Sequence, residues 1–376
     1  MTISYGFLST YPPTQCGLAT FTASLLRALT LPAGGDRAGV VRVVESAAYA
    51  DRQEVVGHLL VNAPEAEAAA TAALDRHDVV IVQHEYGIYG GADGEDLLPV
   101  LRGLRAPVIA VLHTVLGRPT VHQKAVLEQV VALAGAAVTM TEAARARLVA
   151  EYGVNPDKVT IIPHGAPDRP PLRLLNPSGE PTILTWGLLG PGKGLEWAIG
   201  GLRLVRHLLP RPRYVIAGQT HPKVLIEQGE AYRLMLYSRV RALGVAGLVT
   251  FERAYLDQVR LDRLVGRADV VLLPYDSPDQ ATSGVLVEAL AAHKPVIATA
   301  FPHAEELLGG GAGLLVPHRD APAIGAALKR VLTEPDLVAD MYDKAKLISQ
   351  RSQWKLVAER YRALATTLLS RTPVPL

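Results

Sequence analysis

Short β-branched runs alternate along the chain with longer Ala- and Leu-rich stretches whose apolar positions recur at helical spacing. This is the pattern of parallel strands joined by helices. The runs predict strands at Ile3 to Leu8, Val40 to Val44, Val79 to Gln83, Pro107 to Leu112, Ala137 to Thr141 and Lys158 to Ile162, with helices at Ala19 to Leu29 and Ala143 to Tyr152. The alternation breaks at Pro163-His164-Gly165-Ala166-Pro167 and stays broken to Pro177-Ser178-Gly179, a proline-rich linker. It resumes with strands at Thr182 to Trp186, Tyr214 to Ala217, Leu248 to Phe251, Val270 to Pro274 and Pro295 to Ala298. Helices are expected at Gly194 to His207, in a long segment ending near Leu243, at Leu256 to Val265 and at Gly284 to Ala292. From about Ala321 the tail reads as helical, with no strand after Leu314 to Val316. The expected fold class is α/β, with two doubly wound Rossmann-like domains at 1–168 and 182–350, a linker at 169–181 and a terminal segment at 351–376.

Composition narrows the partners. In 376 residues, 38 Lys and Arg face 36 Asp and Glu, a net charge of +2. No basic excess points to a nucleic-acid partner, so an anionic ligand must be met by local groups. The single cysteine, Cys16, leaves no disulfide framework or Cys-rich zinc site, which suits the cytosol. The N-terminus, interrupted by Tyr11-Pro12-Pro13, does not read as a signal peptide, and no apolar run is long enough for a transmembrane segment. The Arg203, Arg206, His207, Arg211, Arg213 cluster fits either a solvated helix face or a weak peripheral contact with the inner face of a membrane.

Parallel sheets bind ligands beyond the carboxyl ends of their strands, and two such units facing each other would form a cleft. After the first strand, Tyr11-Pro12-Pro13-Thr14-Gln15-Cys16-Gly17 offers a stiff turn and a glycine ahead of a helix. The three-glycine dinucleotide fingerprint and the phosphate-loop lysine pattern are both missing, which disfavours hydride transfer and simple nucleotide hydrolysis. His84-Glu85-Tyr86 and His113-Thr114 close two further strands. Such histidines either donate to a substrate or satisfy a carbonyl. No histidine–carboxylate spacing suggests a zinc motif, and no Asp-x-Asp element suggests a nucleotide-bound metal.

In the second half, Trp186-Gly187-Leu188-Leu189-Gly190-Pro191-Gly192-Lys193-Gly194 opens a helix. Lys193 there is either a diphosphate counter-charge or a surface lysine. Gln280-Ala281-Thr282-Ser283-Gly284-Val285 leads into another helix, capped by Thr282 or Ser283, with Glu288 just over one turn inside. Glu288 suits either a ribose contact or a surface position.

Taken together, these segments resemble the GT-B glycosyltransferases, specifically the large retaining group of glycosyltransferase family 4, over nearly the whole chain. The resemblance rests on Tyr11-Pro12-Pro13 with Gly17, His113-Thr114, Ile162-Pro163-His164-Gly165, the Gly187 to Gly194 loop, and Val270 to Ala298 around Glu288. It implies that Gly17 and Lys193 bind the donor diphosphate, that Ser283, Gly284 and Val285 present a hydroxyl and amides to it, and that Glu288 binds the ribose. His113 would contact the transferred sugar, and the terminal helix around Trp354 would pack back on the first domain. Loops at Tyr11 to Thr20, including Gln15, and at His84 to Tyr89, including Glu85 and Tyr86, would shape an acceptor site.

Two positions depart from the family pattern. Gln280 replaces the first acid of Glu-x7-Glu, so it can hydrogen-bond a sugar but cannot stabilise positive charge as a carboxylate would. Leu188 replaces a basic residue, leaving Lys193 with the diphosphate unless Arg253 reaches in.

The expected reaction is metal-independent, cofactor-free hexosyl transfer from a nucleotide diphosphate sugar to a saccharide or glycoside hydroxyl, with His113, Lys193 and Gln280 at the reacting centre. GDP-mannose is the leading donor, by resemblance of the Gln280, Thr282-Ser283-Gly284 variant to bacterial mannoside-linked members. UDP- or ADP-glucose transfer, a retaining disaccharide phosphorylase and a non-catalytic sugar-binding protein are the alternatives.

Overall fold

A computed structural model describes residues 2–31, 35–46, 52–167 and 179–371. Most of the linker, residues 168–178, lies outside these. The chain divides into a first unit, Met1–Gly165 with Trp354–Leu376, and a second, Ala166–Gln353.

In the first unit the strands are β1 (Ser4–Ser9), β2 (Arg37–Val44), β3 (Val55–Leu60), β4 (Val79–His84), β5 (Val108–Leu112), β6 (Ala136–Thr139) and β7 (Val159–Ile161). They pair in parallel, in the order β3-β2-β1-β4-β5-β6-β7. The central strands hide every side chain, as in the fully buried Val79–His84, because helices cover both faces. That double burial is why they stand out as continuous apolar runs. β3 does not: this edge strand alternates in burial and carries Gly57 and His58, and the helix that follows it, Glu65–Leu74, is almost all Ala and Glu.

The second unit holds β8 (Thr182–Trp186), β9 (Arg213–Ala217), β10 (Val249–Glu252), β11 (Val270–Leu273), β12 (Val296–Thr299) and β13 (Gly313–Val316), parallel in the order β10-β9-β8-β11-β12-β13. This is the GT-B architecture, two doubly wound α/β domains. Two helical expectations need correction. The long segment ending near Leu243 is two helices, Pro222–Gln228 and Ala231–Ala242, broken at Gly229 with φ 60°. The helix expected to reach His207 stops at Gly201 and tightens into a 3₁₀ turn at Leu202–Leu204.

The last helix, Trp354–Arg371, belongs to the first unit and lies along the Gly17–Thr30 helix. Val357, Ala358, Tyr361 and Ala365 enter the core with Phe21 and Leu25, and Arg362 donates to Asp36 at 2.8 Å. In each sheet the strand order reverses next to the first strand, between β1 and β4 and between β8 and β11. That reversal opens a crevice at the carboxyl ends, where ligands bind in such folds.

Candidate active site

On the second unit's carboxyl edge, the loop after β8 and the loop after β11 interlock. The Asp276 N–H donates to the Gly192 carbonyl at 2.8 Å. Gly194 has φ 63°, and a Cβ there would strike the Pro274 carbonyl, so only glycine lets the two loops close. The result places the Lys193 ammonium over the Tyr275 ring, 4.5 Å from its centroid. Among the described residues no carboxylate pairs with it.

Beyond Tyr275, Ser283 caps the Gly284–Ala291 helix, its Oγ accepting from the Leu286 N–H at 3.2 Å. Its own N–H donates to His303 Nδ1 at 2.8 Å, so of this segment's amides that of Ser283 is already engaged. The amides of Gly284 and Val285 remain, since the first N–H groups of a helix have no intrahelical acceptor. Val285 packs 4.0 Å from where a Gly187 Cβ would sit, so the helix start and the Lys193 loop share one edge.

The Gln280 amide donates to the Thr282 carbonyl at 3.0 Å, leaving its oxygen available. Glu288 is half-buried on the same helix. Arg253, exposed after β10, acts on Glu230, helping to hold that carboxyl below its usual range behind the Thr220 hydroxyl bond and Arg233. The tyrosine and His303 carry no local motif; their roles arise from contacts 20 or more residues away in sequence.

On the first unit's edge, Cys16 caps the Gly17 helix through a 3.4 Å bond from the Ala19 N–H, and Gly17 lies exposed with open space where a Cβ would be. Gln15 is exposed beside it. His113 ends its strand with Nε2 2.7 Å from the Gln83 amide oxygen, which puts the proton on that nitrogen. Its ring stands edge-on to Phe21, as do His164 and Trp354. Burial, reinforced by His164 and His84, drops the His113 pKa to about 3, and burial alone drops His84 to about 4. Both are neutral imidazoles at ordinary pH.

Glu85 accepts from the Thr114 hydroxyl at 2.6 Å and from the Tyr86 N–H at 3.1 Å, which ties the two strand ends together. Three expected acceptor contacts are interior side chains instead. Tyr11 and His84 are buried, and Tyr89, 5% exposed, donates its hydroxyl to the Gln83 carbonyl at 2.8 Å. An aromatic in an apolar loop is more stable packed under that loop than facing water, and these three support the edge rather than line it. Gln83 was missed, although a glutamine inside an otherwise apolar strand is a visible signal.

No group of three or more His, Cys, Asp or Glu among the described residues could hold a metal ion. No described helix is long and apolar enough to cross a membrane.

Comparison with known proteins agrees with this fold. The profile described as "Glycosyltransferase Family 4" matches residues 32–168, and that described as "Glycosyl transferases group 1" matches residues 172–348. A D-inositol 3-phosphate glycosyltransferase of Kineococcus radiotolerans is 28% identical over 255 residues, 62% of this chain; the match spans only 57% of that protein's length. Sucrose-phosphate synthase from Thermosynechococcus elongatus superposes with a TM-score of 0.78 at 17% identity, covering 98% of this chain and all of that one. HepE from Anabaena, solved in complex with UDP, gives 0.76 at 18% identity over 97% of this chain and all of its own. Each half is matched by a glycosyltransferase profile and the fold is GT-B, so the chain belongs to the group 1 glycosyltransferases.

Proposed function

We propose that this protein transfers a hexose from a nucleotide diphosphate sugar to a saccharide or glycoside hydroxyl, with retention at the anomeric carbon. The observation that carries the reading is the second unit's edge, where an ammonium with no carboxylate partner among the described residues and two open helix-terminal amides lie at the switch point. A leaving diphosphate gains negative charge there, and Lys193, Gly284 and Val285 supply donors already fixed in place. The Ser283 hydroxyl hydrogen joins them, with Glu288 on the ribose and Gln280 accepting from the sugar, and the family resemblance assigns the first unit's Gly17 amide to the same diphosphate. The acceptor oxygen bonds to the anomeric carbon as the carbon–oxygen bond to phosphate breaks, and the departing phosphate takes the acceptor's proton. No protein nucleophile, metal or other cofactor is assigned a step.

His113, neutral and oriented by Gln83, is assigned to the transferred sugar, with Gln15, Glu85 and Tyr86 toward the acceptor. GDP-mannose is the proposed donor, on the resemblance of the Gln280 to Gly284 segment to mannoside-linked members. HepE, solved also in complex with UDP-glucose, supports a second reading, UDP-glucose.

A donor panel with mass spectrometry of products separates them: turnover with GDP-mannose and a mannoside is expected, and turnover with UDP-glucose alone would replace the donor. Lys193→Ala and Glu288→Ala should each lower kcat/KM by about 100-fold, the scale of losing one preorganised charge at a leaving group. Undiminished turnover in both would remove the site from this edge.

A further inference from the structure

Behind the Lys193 loop lies a charged network that the reaction above does not use. The loop after β8 and the turn after β9 continue the parallel pairing of their strands. Gly187 N–H donates to the Ala217 carbonyl at 3.0 Å, Leu189 N–H to Gln219 at 2.8 Å, and His221 N–H back to Leu189 at 2.8 Å. Gly218 has φ 143°, and a Cβ there would strike the Gly187 carbonyl, so the two segments touch backbone to backbone. Whatever holds the Gly218–His221 turn therefore holds the phosphate loop.

That support comes from two consecutive residues of the Ala231–Ala242 helix. The Tyr232 hydroxyl accepts from the Leu195 N–H at 3.3 Å and donates to Glu196 at 2.7 Å, fixing the helix that follows Lys193. Arg233, 2% exposed, donates through Nη2 to the Gly218 carbonyl at 3.0 Å, with the Thr220 hydroxyl oxygen at 3.3 Å, and through Nε to Glu230 at 3.1 Å. Its buried Nη1 has no partner among the described residues. A guanidinium buried against one carboxylate that is itself 37% exposed leaves part of its charge uncompensated, since the carboxylate is screened by water and the guanidinium is not. The field of that charge falls on the turn that seats the phosphate loop. Lys193 acts on the titration of His221, and Arg253 on that of Glu230, so these cations lie within electrostatic reach of the same turn.

We propose that Arg233 is a positioning residue for the donor diphosphate: its guanidinium fixes the Gly218–Thr220 turn beneath the Lys193 loop and supplies positive potential in place of the basic side chain absent at Leu188, while Glu230 tempers that potential. The inference rests on the transferase reading.

Two variants of opposite charge consequence test it, with GDP, UDP and ADP titrated calorimetrically at low ionic strength. Arg233→Gln removes the charge and the fork, and the affinity of whichever nucleotide binds should fall about tenfold. Glu230→Gln keeps the side chain's shape and its bond from Thr220 but removes the opposing charge, and affinity should rise, by roughly two- to fivefold at these separations. A purely structural role gives no reason for the second variant to bind more tightly. If Arg233→Gln does not fold, Arg233→Lys keeps the charge but cannot span Gly218 and Glu230 together, and should lose about threefold. Wild-type protein that binds none of the three nucleotides overturns the transferase reading and the inference with it. Wild-type protein that binds, with Arg233 variants unchanged or Glu230→Gln no tighter, overturns the inference alone.

Discussion

Gly17 stands at the first turn of its helix with nothing within 4 Å of where a methyl group would sit, so the protein itself does not demand glycine there. Gly17→Ala should therefore leave thermal stability unchanged or raise it by about 0.5 kcal/mol, because alanine restricts the unfolded chain. If a diphosphate approaches that amide, the same substitution should raise the donor KM at least tenfold; an unchanged KM would separate Gly17 from the donor. The buried histidines give a second residue-scale prediction. His84, 1% exposed, has a folded pKa of about 4 against 6.5 unfolded, so between those values the unfolded chain binds more protons than the folded one. Stability therefore rises with pH through that window, is lost as pH falls below 6.5, and owes nothing to this group above it. From pH 7 to pH 5, His84 should account for about 2 kcal/mol of lost unfolding free energy. Denaturant titrations at the two pH values should show a smaller drop in His84→Leu. The same linkage keeps His113 neutral down to about pH 3, so an acidic limb in the rate profile near pH 5 would not belong to it.

The terminal helix supplies Val357, Ala358, Tyr361, Ala365 and Leu368 to the first unit's core. Trp354 meets Phe21 edge-on at 5.1 Å, and a Cβ on Gly165 would strike its indole. Trp354→Ala should cost about 3 kcal/mol, the range for deleting a packed aromatic, measured as a shift in denaturant midpoint without a change in slope. Elements of this kind differ in how openly the sequence announces them. Strands such as Val79–His84 were legible because both faces are covered, and the Gly-, Pro- and Ser-rich segments after them marked the edges where ligands sit. The edge strand Val55–Leu60 was not, because one face meets solvent and its alternation is short. Within the site, Lys193 beside a helix start and a cap at Thr282 or Ser283 could be read from local pattern alone, and the structure makes Ser283 the cap. Tyr275 under the ammonium, His303 on the Ser283 amide and Arg233 under Gly218 could not, since each acts on residues brought near only by the sheet. Tyr89 shows the converse: its position after a strand suggested exposure, and its burial depends on the carbonyl it meets.

At the scale of the whole molecule, the first unit is discontinuous in sequence and the second is continuous, and each has its own hydrophobic core. The first unit's cluster includes Val357, Tyr361 and Ala365 from the chain's end, whereas the second unit's clusters draw on no residue outside 166–348. A chain ended after Gln353 should therefore lose the first unit's cooperative unfolding while the second still folds. The groups assigned above to the nucleotide and its diphosphate, apart from Gly17, all belong to the second unit, so the shortened chain should still bind the nucleoside diphosphate product. Binding to one unit stabilises that unit by mass action, about 2.7 kcal/mol at one hundred times Kd. Thermal unfolding followed by fluorescence of single-tryptophan variants should then show nucleotide raising the midpoint of the transition reported by Trp186 or Trp197, with the transition reported by Trp354 moving less. Equal movement of both would mean that the nucleotide is held as strongly by first-unit residues as by Lys193 and the Gly284 helix, and would shift the diphosphate assignment toward Gly17.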